Sequence, residues 1–133
     1  MGRNGNPTKG LIMADVIAVV SDLIFSTKIS GTARAVGFEA TIVTTSKALG
    51  AALDAGDLRL VIVDMSLTNG EAPAALRCGA SHTSRPKTVA FYSHVQSELK
   101  EAAEQAGADL IMARSKFNEQ LPQLLRQYCA GTD

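Results

Sequence analysis

The segment 60–64 (LVIVD) constrains the fold more than any other part of the chain, since four branched apolar residues lead into one carboxylate. A short continuous apolar run is typical of a strand buried on both faces, as in a parallel sheet covered by helices. Asp64 is the residue at which this strand would leave the core and reach water. In open α/β sheets, ligands gather at the carboxyl ends of the strands. We therefore expect Asp64 to lie at the functional edge of a sheet.

Apolar segments and helical patterns alternate along the whole chain. The predicted strands are 16–20, 40–43, 60–64, 88–92 and one within 108–113. Helical patterns follow at 25–36, 46–55 with Ser46 as the cap, 74–77, 95–106 and from about Asn118 to 128. Gly37, Gly56 and Gly107 end three of these helices. Strands that alternate with helices predict right-handed βαβ units and a parallel sheet.

Length and charge exclude several classes of protein. With 133 residues, 46% of them hydrophobic, the chain predicts one globular domain. We expect residues 1–13, which are polar and rich in glycine, to be a disordered leader, and residues 14–130 to be the domain. The 13 basic and 13 acidic residues argue against direct nucleic-acid binding. No apolar run approaches the roughly 18 residues of a membrane span, and a signal-peptide core is lacking, so we expect a cytoplasmic protein.

Five segments resemble the receiver domain of two-component response regulators, in register over about residues 14–129. They lie at the end of the first strand, in the link to the second strand, in the third strand, at the end of the fourth strand and at the end of the fourth helix. The segments are 19–22 (VVSD), 35–40 (AVGFEA), 60–64 (LVIVD), 91–93 (FYS) and 105–109 (QAGAD). This resemblance implies a flavodoxin-like, doubly wound (βα)5 three-layer sandwich with a five-stranded parallel sheet in the order 2-1-3-4-5.

The resemblance also implies a set of functional residues. Asp64 would be the phospho-acceptor. Asp22, Asp64 and the backbone carbonyl of Ser66 would bind Mg²⁺, which prefers oxygen ligands. Ser93 and Arg114 would contact the phosphoryl group. No enzymatic activity beyond self-phosphorylation of Asp64 is implied.

Four positions depart from the pattern of the family. Ser21 replaces the first acidic residue, Ile111 the aromatic switch residue, Arg114 the lysine, and Ser115 the proline after it. The loop 65–70 lacks the usual proline. Arginine is not equivalent to lysine at a site built for a point charge. We therefore expect weak Mg²⁺ binding and a receiver-like signalling module, with a degenerate site, that acts by binding a partner protein.

Alternatives to this hypothesis remain open. Instead of a functional role, the Asp64 carboxylate could have a structural one: it could cap the next turn or pair permanently with Arg114. The chain could be a true phospho-receiver, or a flavodoxin-like domain that binds a nucleotide or flavin. By resemblance, the partner is another protein, a histidine kinase or a second copy of the chain. Its contact surface would be formed by helix 4, strand 5 and helix 5, including residues 97–100, Ile111 and residues 114–119.

Other candidate chemistries are weaker. Ser93 and His94 beside Asp64 lack the G-x-S-x-G motif of a hydrolase. The segment 30–32 (SGT) is too far from the first strand for a flavin phosphate loop. Neither His82 nor His94 has metal-ligand spacing. Cys78 and Cys129 are expected to be idle thiols.

Overall fold

The computed structural model describes residues 15–93 and 97–130, which form five strands and five helices in alternation. The strands are β1 (Val16–Val19), β2 (Ala40–Val43), β3 (Leu60–Asp64), β4 (Lys87–Tyr92) and β5 (Leu110–Ala113). The helices are α1 (Leu23–Ala35), α2 (Ser46–Ala55), α3 (Glu71–Ser81), α4 (Ser97–Gln105) and α5 (Arg114–Cys129).

All five strands are parallel, and their order is β2-β1-β3-β4-β5. This confirms the predicted flavodoxin-like fold and its strand order. The first strand, β1, lies inside the sheet, with β2 on one side of it and β3 on the other. The direction in which successive strands are added therefore reverses between β2 and β3. The reversal separates neighbouring loops at the carboxyl ends of β1 and β3, which opens a crevice at that edge.

Helices cover both faces of the sheet, and each face carries its own buried cluster. On one face α1 and α5 pack over Val16, Ala18, Leu60 and Ile62. On the other, α2, α3 and α4 pack over the alternate residues of the same strands. Because β1 and β3 are buried on both sides, their sequences are apolar throughout rather than alternating.

Three helix starts or lengths differ from the prediction. Thr45, and not Ser46, is the N-cap of α2, since its side chain accepts a hydrogen bond from the Ala48 N–H at 3.1 Å. Helix α3 extends over eleven residues instead of four. Helix α5 begins at Arg114 rather than near Asn118, directly after β5 and without a capping side chain. The predicted helix cap residues Gly37 and Gly107 do adopt positive φ angles of 92° and 90°. His94 and Val95 lie outside the described residues.

Two glycines on exposed and buried helix faces give opposite expectations for substitution. A Cβ atom on Gly79 would lie 2.9 Å from Cγ2 of the buried Thr88, whereas one on Gly31 meets nothing within 4 Å. We expect Gly79→Ala to lower the free energy of unfolding by about 1–3 kcal/mol through overpacking. Gly31→Ala, the matched control, should raise it by about 0.5–1 kcal/mol. Urea unfolding of both variants checks this, and equal effects would contradict the packing of α3 on β4.

Candidate functional site

Residues from two loops, one strand and one helix lie at the carboxyl edge of the sheet. Asp22 follows β1, Asp64 ends β3, Ser93 follows β4 and Arg114 opens α5. Their strands are neighbours in register, because Val19 pairs with Val63 and Asp64 with Phe91. The fold therefore places the residues singled out in the sequence at one edge.

Asp64 is 4% exposed and caps the turn that follows its own strand. Its Oδ1 atom accepts hydrogen bonds from the Ser66 backbone N–H at 2.9 Å and from the Ser66 hydroxyl at 2.8 Å. Both bonds that the described residues give this carboxylate go to Oδ1. Of the two local roles considered for Asp64, the structure shows the capping role.

Asp22 has two structural partners. Its Oδ1 atom accepts a hydrogen bond from the Phe25 N–H at 3.0 Å, which makes Asp22 the N-cap of α1. Its Oδ2 atom accepts one from Nη2 of Arg114, also at 3.0 Å. The guanidinium therefore pairs with Asp22 and not with Asp64, because the start of α5 lies opposite the start of α1.

The guanidinium of Arg114 also stacks on an aromatic ring. The carbon of its guanidinium lies 4.1 Å from the centroid of the Phe25 ring. Phe25 in turn contacts Phe91 and Phe117, with ring centroids 5.0 and 6.0 Å away. A guanidinium over an aromatic face gains electrostatic attraction. The ion pair with Asp22 and the contact with the Phe25 ring together position Arg114 at the carboxyl edge of the sheet, which we call the acidic edge because Asp22 and Asp64 lie there.

These contacts lower the pKa of the Asp22 carboxyl below its ordinary value of 3.8. The hydrogen bond from the Phe25 backbone is the largest cause, and the hydrogen bond from Arg114 comes second. Both favour the ionised form. The resulting stabilisation is complete above the unfolded-state pKa and is lost as the pH falls through the lower pKa of the folded state.

We expect Arg114→Met to raise the pKa of Asp22 part of the way back, because the helix cap remains while the cation is lost. Below pH of about 4, the variant should then lose less stability per pH unit than the unmodified chain. A ¹³C NMR titration of the Asp22 carboxyl carbon measures the shift. Arg34→Met removes an exposed arginine from α1, the helix that Asp22 caps, and should leave the titration unchanged. An identical shift in both variants would contradict a direct ion pair.

The residues predicted to bind Mg²⁺, in the arrangement that the structure shows, do not form a good site for this ion. Both oxygens of Asp22 are engaged, one of them by a cation. Ser21, the residue before Asp22, is exposed and adds a hydroxyl rather than a carboxylate. Residues 15–93 and 97–130 contain no group of three or more His, Cys, Asp or Glu side chains that could hold a metal ion. A dication would first have to displace the guanidinium from Asp22.

An open cleft of about 580 Å³ lies next to this edge. Its lining combines aromatic, cationic and polar groups: Phe25, Tyr92, Ser93, Ala113, Arg114, Ser115 and Asn118. Ser93, Arg114 and Ser115 share this cleft, whereas Asp22 and Asp64 are not among its lining residues. Ile111 is half-buried and packs against the buried cluster on the α2, α3 and α4 side of the sheet.

Known structures share this architecture. The receiver domain of NtrX from Brucella abortus is 18% identical over 89% of this chain and 100% of that chain, with a TM-score of 0.74. A sensor histidine kinase receiver domain from Pseudomonas aeruginosa, with magnesium coordinated in its active-site cleft, is 17% identical over 89% and 98%, with a TM-score of 0.76. The chain has the receiver fold. The phosphorylated cyanobacterial phytochrome response regulator RcpA shares this fold at 11% identity, over 90% and 96% of the two chains, with a TM-score of 0.73.

Sequence comparison finds less than structure comparison does. No protein-family model and no curated protein matches the chain. The likeness of this chain to receiver domains of known structure therefore lies in its architecture.

Between residues 15 and 130, leaving out 94–96, no helix has the length and apolar character needed to cross a membrane.

Three features outside the site were also singled out in the sequence. The segment 30–32 lies within α1 rather than at a strand end, as its distance from the first strand indicated. Cys129 is buried, and burial raises the pKa of its thiol to about 12, which is consistent with an idle thiol. His82 has polar partners that spacing did not reveal: Asp54 and Ser84, both 2.8 Å from its ring nitrogens.

Proposed function

We propose that this chain is a receiver-like signalling module of the cytoplasm that acts by binding a partner protein, with weak or absent phosphorylation of Asp64. The receiver fold supports the signalling role, since the similar structures are receiver domains and a response regulator. We further propose that its partner is a protein rather than nucleic acid. No catalytic turnover is part of the proposal.

One observation carries the proposal: the ion pair between Arg114 and Asp22. A receiver that accepts phosphate needs its acidic residues for a divalent cation. Here a fixed guanidinium neutralises Asp22 from within the chain, and the aromatic ring of Phe25 supports that guanidinium. The proposed consequence is a site held in one charge state, so that signalling depends on the folded surface rather than on a phosphoryl group.

A magnesium titration with and without beryllofluoride, followed by amide NMR, tests the proposal. Beryllofluoride imitates a phosphoryl group on a carboxylate. We expect no saturable shifts at Asp64, Ser93 or Arg114 at millimolar Mg²⁺ in a folded sample. Saturable shifts that Asp64→Asn abolishes, and that the exposed-carboxylate control Asp57→Asn preserves, would overturn the proposal.

The second candidate function is a phospho-receiver with Asp64 as the acceptor. The observation that favours it is the position of Asp64, buried at the carboxyl end of the central strand β3 with its hydrogen bonds on Oδ1 alone among the described residues. Ser93 and Arg114 share the adjoining cleft and would contact the phosphoryl group. The NMR titration separates this candidate from the first.

The proposed partner surface is formed by α4, β5 and α5, and it serves a partner protein, a histidine kinase or a second copy of the chain. Its described part includes the exposed charges of Lys100, Glu101, Lys116 and Glu119 and the half-buried Ile111. Charged and aliphatic side chains both occur in protein interfaces, which have a polar rim and a more apolar core.

We expect a photo-crosslinking residue at position Lys100 or Lys116 to trap the partner or a second copy in cells. The same residue at Lys47, an exposed lysine on α2, should give no such product, because α2 follows β2, the edge strand farthest from β5. Mass spectrometry of the crosslinked bands identifies the trapped protein. Products of equal yield from all three positions would contradict the assignment of this surface.

A further inference from the structure

A second cleft lies at the opposite edge of the sheet, at the amino ends of β3 and β4. It has a volume of about 420 Å³. The residues that line it are Asp57, Leu58, Arg59, Ser84, Arg85, Pro86, Lys87 and Tyr128. Main-chain pairing holds two of its basic residues together, because the Lys87 N–H donates a hydrogen bond to the Arg59 carbonyl at 2.9 Å.

The cleft concentrates positive charge in a chain whose formal net charge is zero. Arg59, Arg85 and Lys87 line it together with a single carboxylate, that of Asp57. Within the described part of the chain, none of the three cations forms a salt bridge; the ion pairs lie elsewhere. The lining therefore carries two more positive than negative charges, and these charges remain available to a ligand.

The ammonium of Lys87 and the backbone of Arg85 are positioned before any ligand arrives. The ammonium of Lys87 lies 5.3 Å from the centroid of the Tyr128 ring. Arg85 has a φ angle of 51°, which is unusual for a residue other than glycine, and its N–H donates a hydrogen bond to the His82 carbonyl at 3.0 Å. Non-glycine residues with such angles cluster at binding and active sites.

The turn that presents Arg85 is fixed by a side-chain network. The Ser84 backbone N–H donates to Nδ1 of His82 at 3.1 Å, so this ring nitrogen acts as the acceptor. Nε2 of His82 then carries the proton and donates to Oδ1 of Asp54 at 2.8 Å. Asp54 belongs to α2, which ties the turn 82–85 to the body of the domain. A fixed turn reduces the ordering that ligand binding would require.

We propose that this cleft binds a small phosphate-bearing anion with two or more negative charges. Arginine matches phosphate oxygens with two parallel hydrogen bonds, and lysine acts as a point charge. The volume lies within the range of small-molecule sites. The observations that carry this proposal are independent of the acidic edge and of its phosphorylation.

Calorimetric titration of the full chain with pyrophosphate and with ADP tests the proposal. We expect saturable binding of at least one, weakened at least about tenfold in Arg59→Gln and in Lys87→Gln. The matched control Arg34→Gln, on an exposed arginine of α1, should bind as the unmodified chain does. Equal binding of the two probes assigns recognition to the phosphates alone, and tighter binding of ADP adds a contact to the nucleoside.

Three results would overturn the proposal. The first is the absence of saturable heat with either probe in a sample whose thermal unfolding is normal. The second is an equal loss of affinity in Arg34→Gln and in the cleft variants, since this would indicate a diffuse charge effect. The third is tight binding of a short DNA oligomer with no saturable binding of pyrophosphate or ADP, which would assign the basic residues to nucleic acid.

Discussion

A chain with Ser21→Asp and Arg114→Met together will bind Mg²⁺ at least about tenfold more tightly than the unmodified chain. The double change adds a carboxylate next to Asp22 and removes the guanidinium that lies 3.0 Å from its Oδ2 atom. Both changes make the site more negative, and opposite charges attract a dication even where solvent screens them, so a tenfold gain is a conservative expectation. Calorimetric titration with MgCl₂ measures the affinity.

The charge-matched control places the same changes at the other edge of the sheet. Thr83→Asp with Arg126→Met alters two exposed positions and leaves the acidic edge intact. We expect its Mg²⁺ affinity to equal that of the unmodified chain. If the double variant at positions 21 and 114 binds no more tightly than this control, Arg114 is not what keeps a dication from the site.

The largest loss of stability is expected from Phe91→Ala, at about 3–5 kcal/mol of unfolding free energy. Phe91 is fully buried in β4, and its ring stacks on Phe117 with centroids 4.7 Å apart and an interplanar angle of 15°. It also supports Phe25, the ring beneath Arg114. Chemical denaturation followed by circular dichroism measures the free energy of unfolding.

Phe38→Ala provides the matched control, because Phe38 is half-buried at the margin of the same cluster. We expect it to lose less than half as much stability as Phe91→Ala, since less apolar surface is exposed and a smaller cavity forms. Equal losses in the two variants would show that the stacked rings contribute no more than their neighbours at the margin.

The sheet could be predicted from the sequence because burial on both faces leaves a plain signal. The apolar segments 40–43 and 60–64 coincide with β2 and β3 to the residue. Glycines after α1 and α4 marked the helix ends, since the chain there needs positive φ angles. The strand order followed from the resemblance rather than from the pattern of residues, because alternation alone does not fix the order.

The site was less predictable because long side chains choose partners in three dimensions. From the sequence, Asp64 was the only carboxylate considered as an ion-pair partner of Arg114, whereas the structure pairs Arg114 with Asp22. The early start of α5 directs the guanidinium to Asp22. Phe25 appeared only as a core residue of a helical pattern, and no spacing indicates that an arginine 89 positions later stacks on its ring.

The double engagement of Asp22 has a consequence for the history of such chains. One carboxylate both starts α1 and anchors the guanidinium of Arg114. Natural selection for a stable fold would retain this aspartate after any selection for metal binding had ceased. Among homologues that have diverged in this way, we expect the aspartate after the first strand to outlast its acidic neighbour, so its persistence records the need for a helix start rather than a surviving phosphorylation signal.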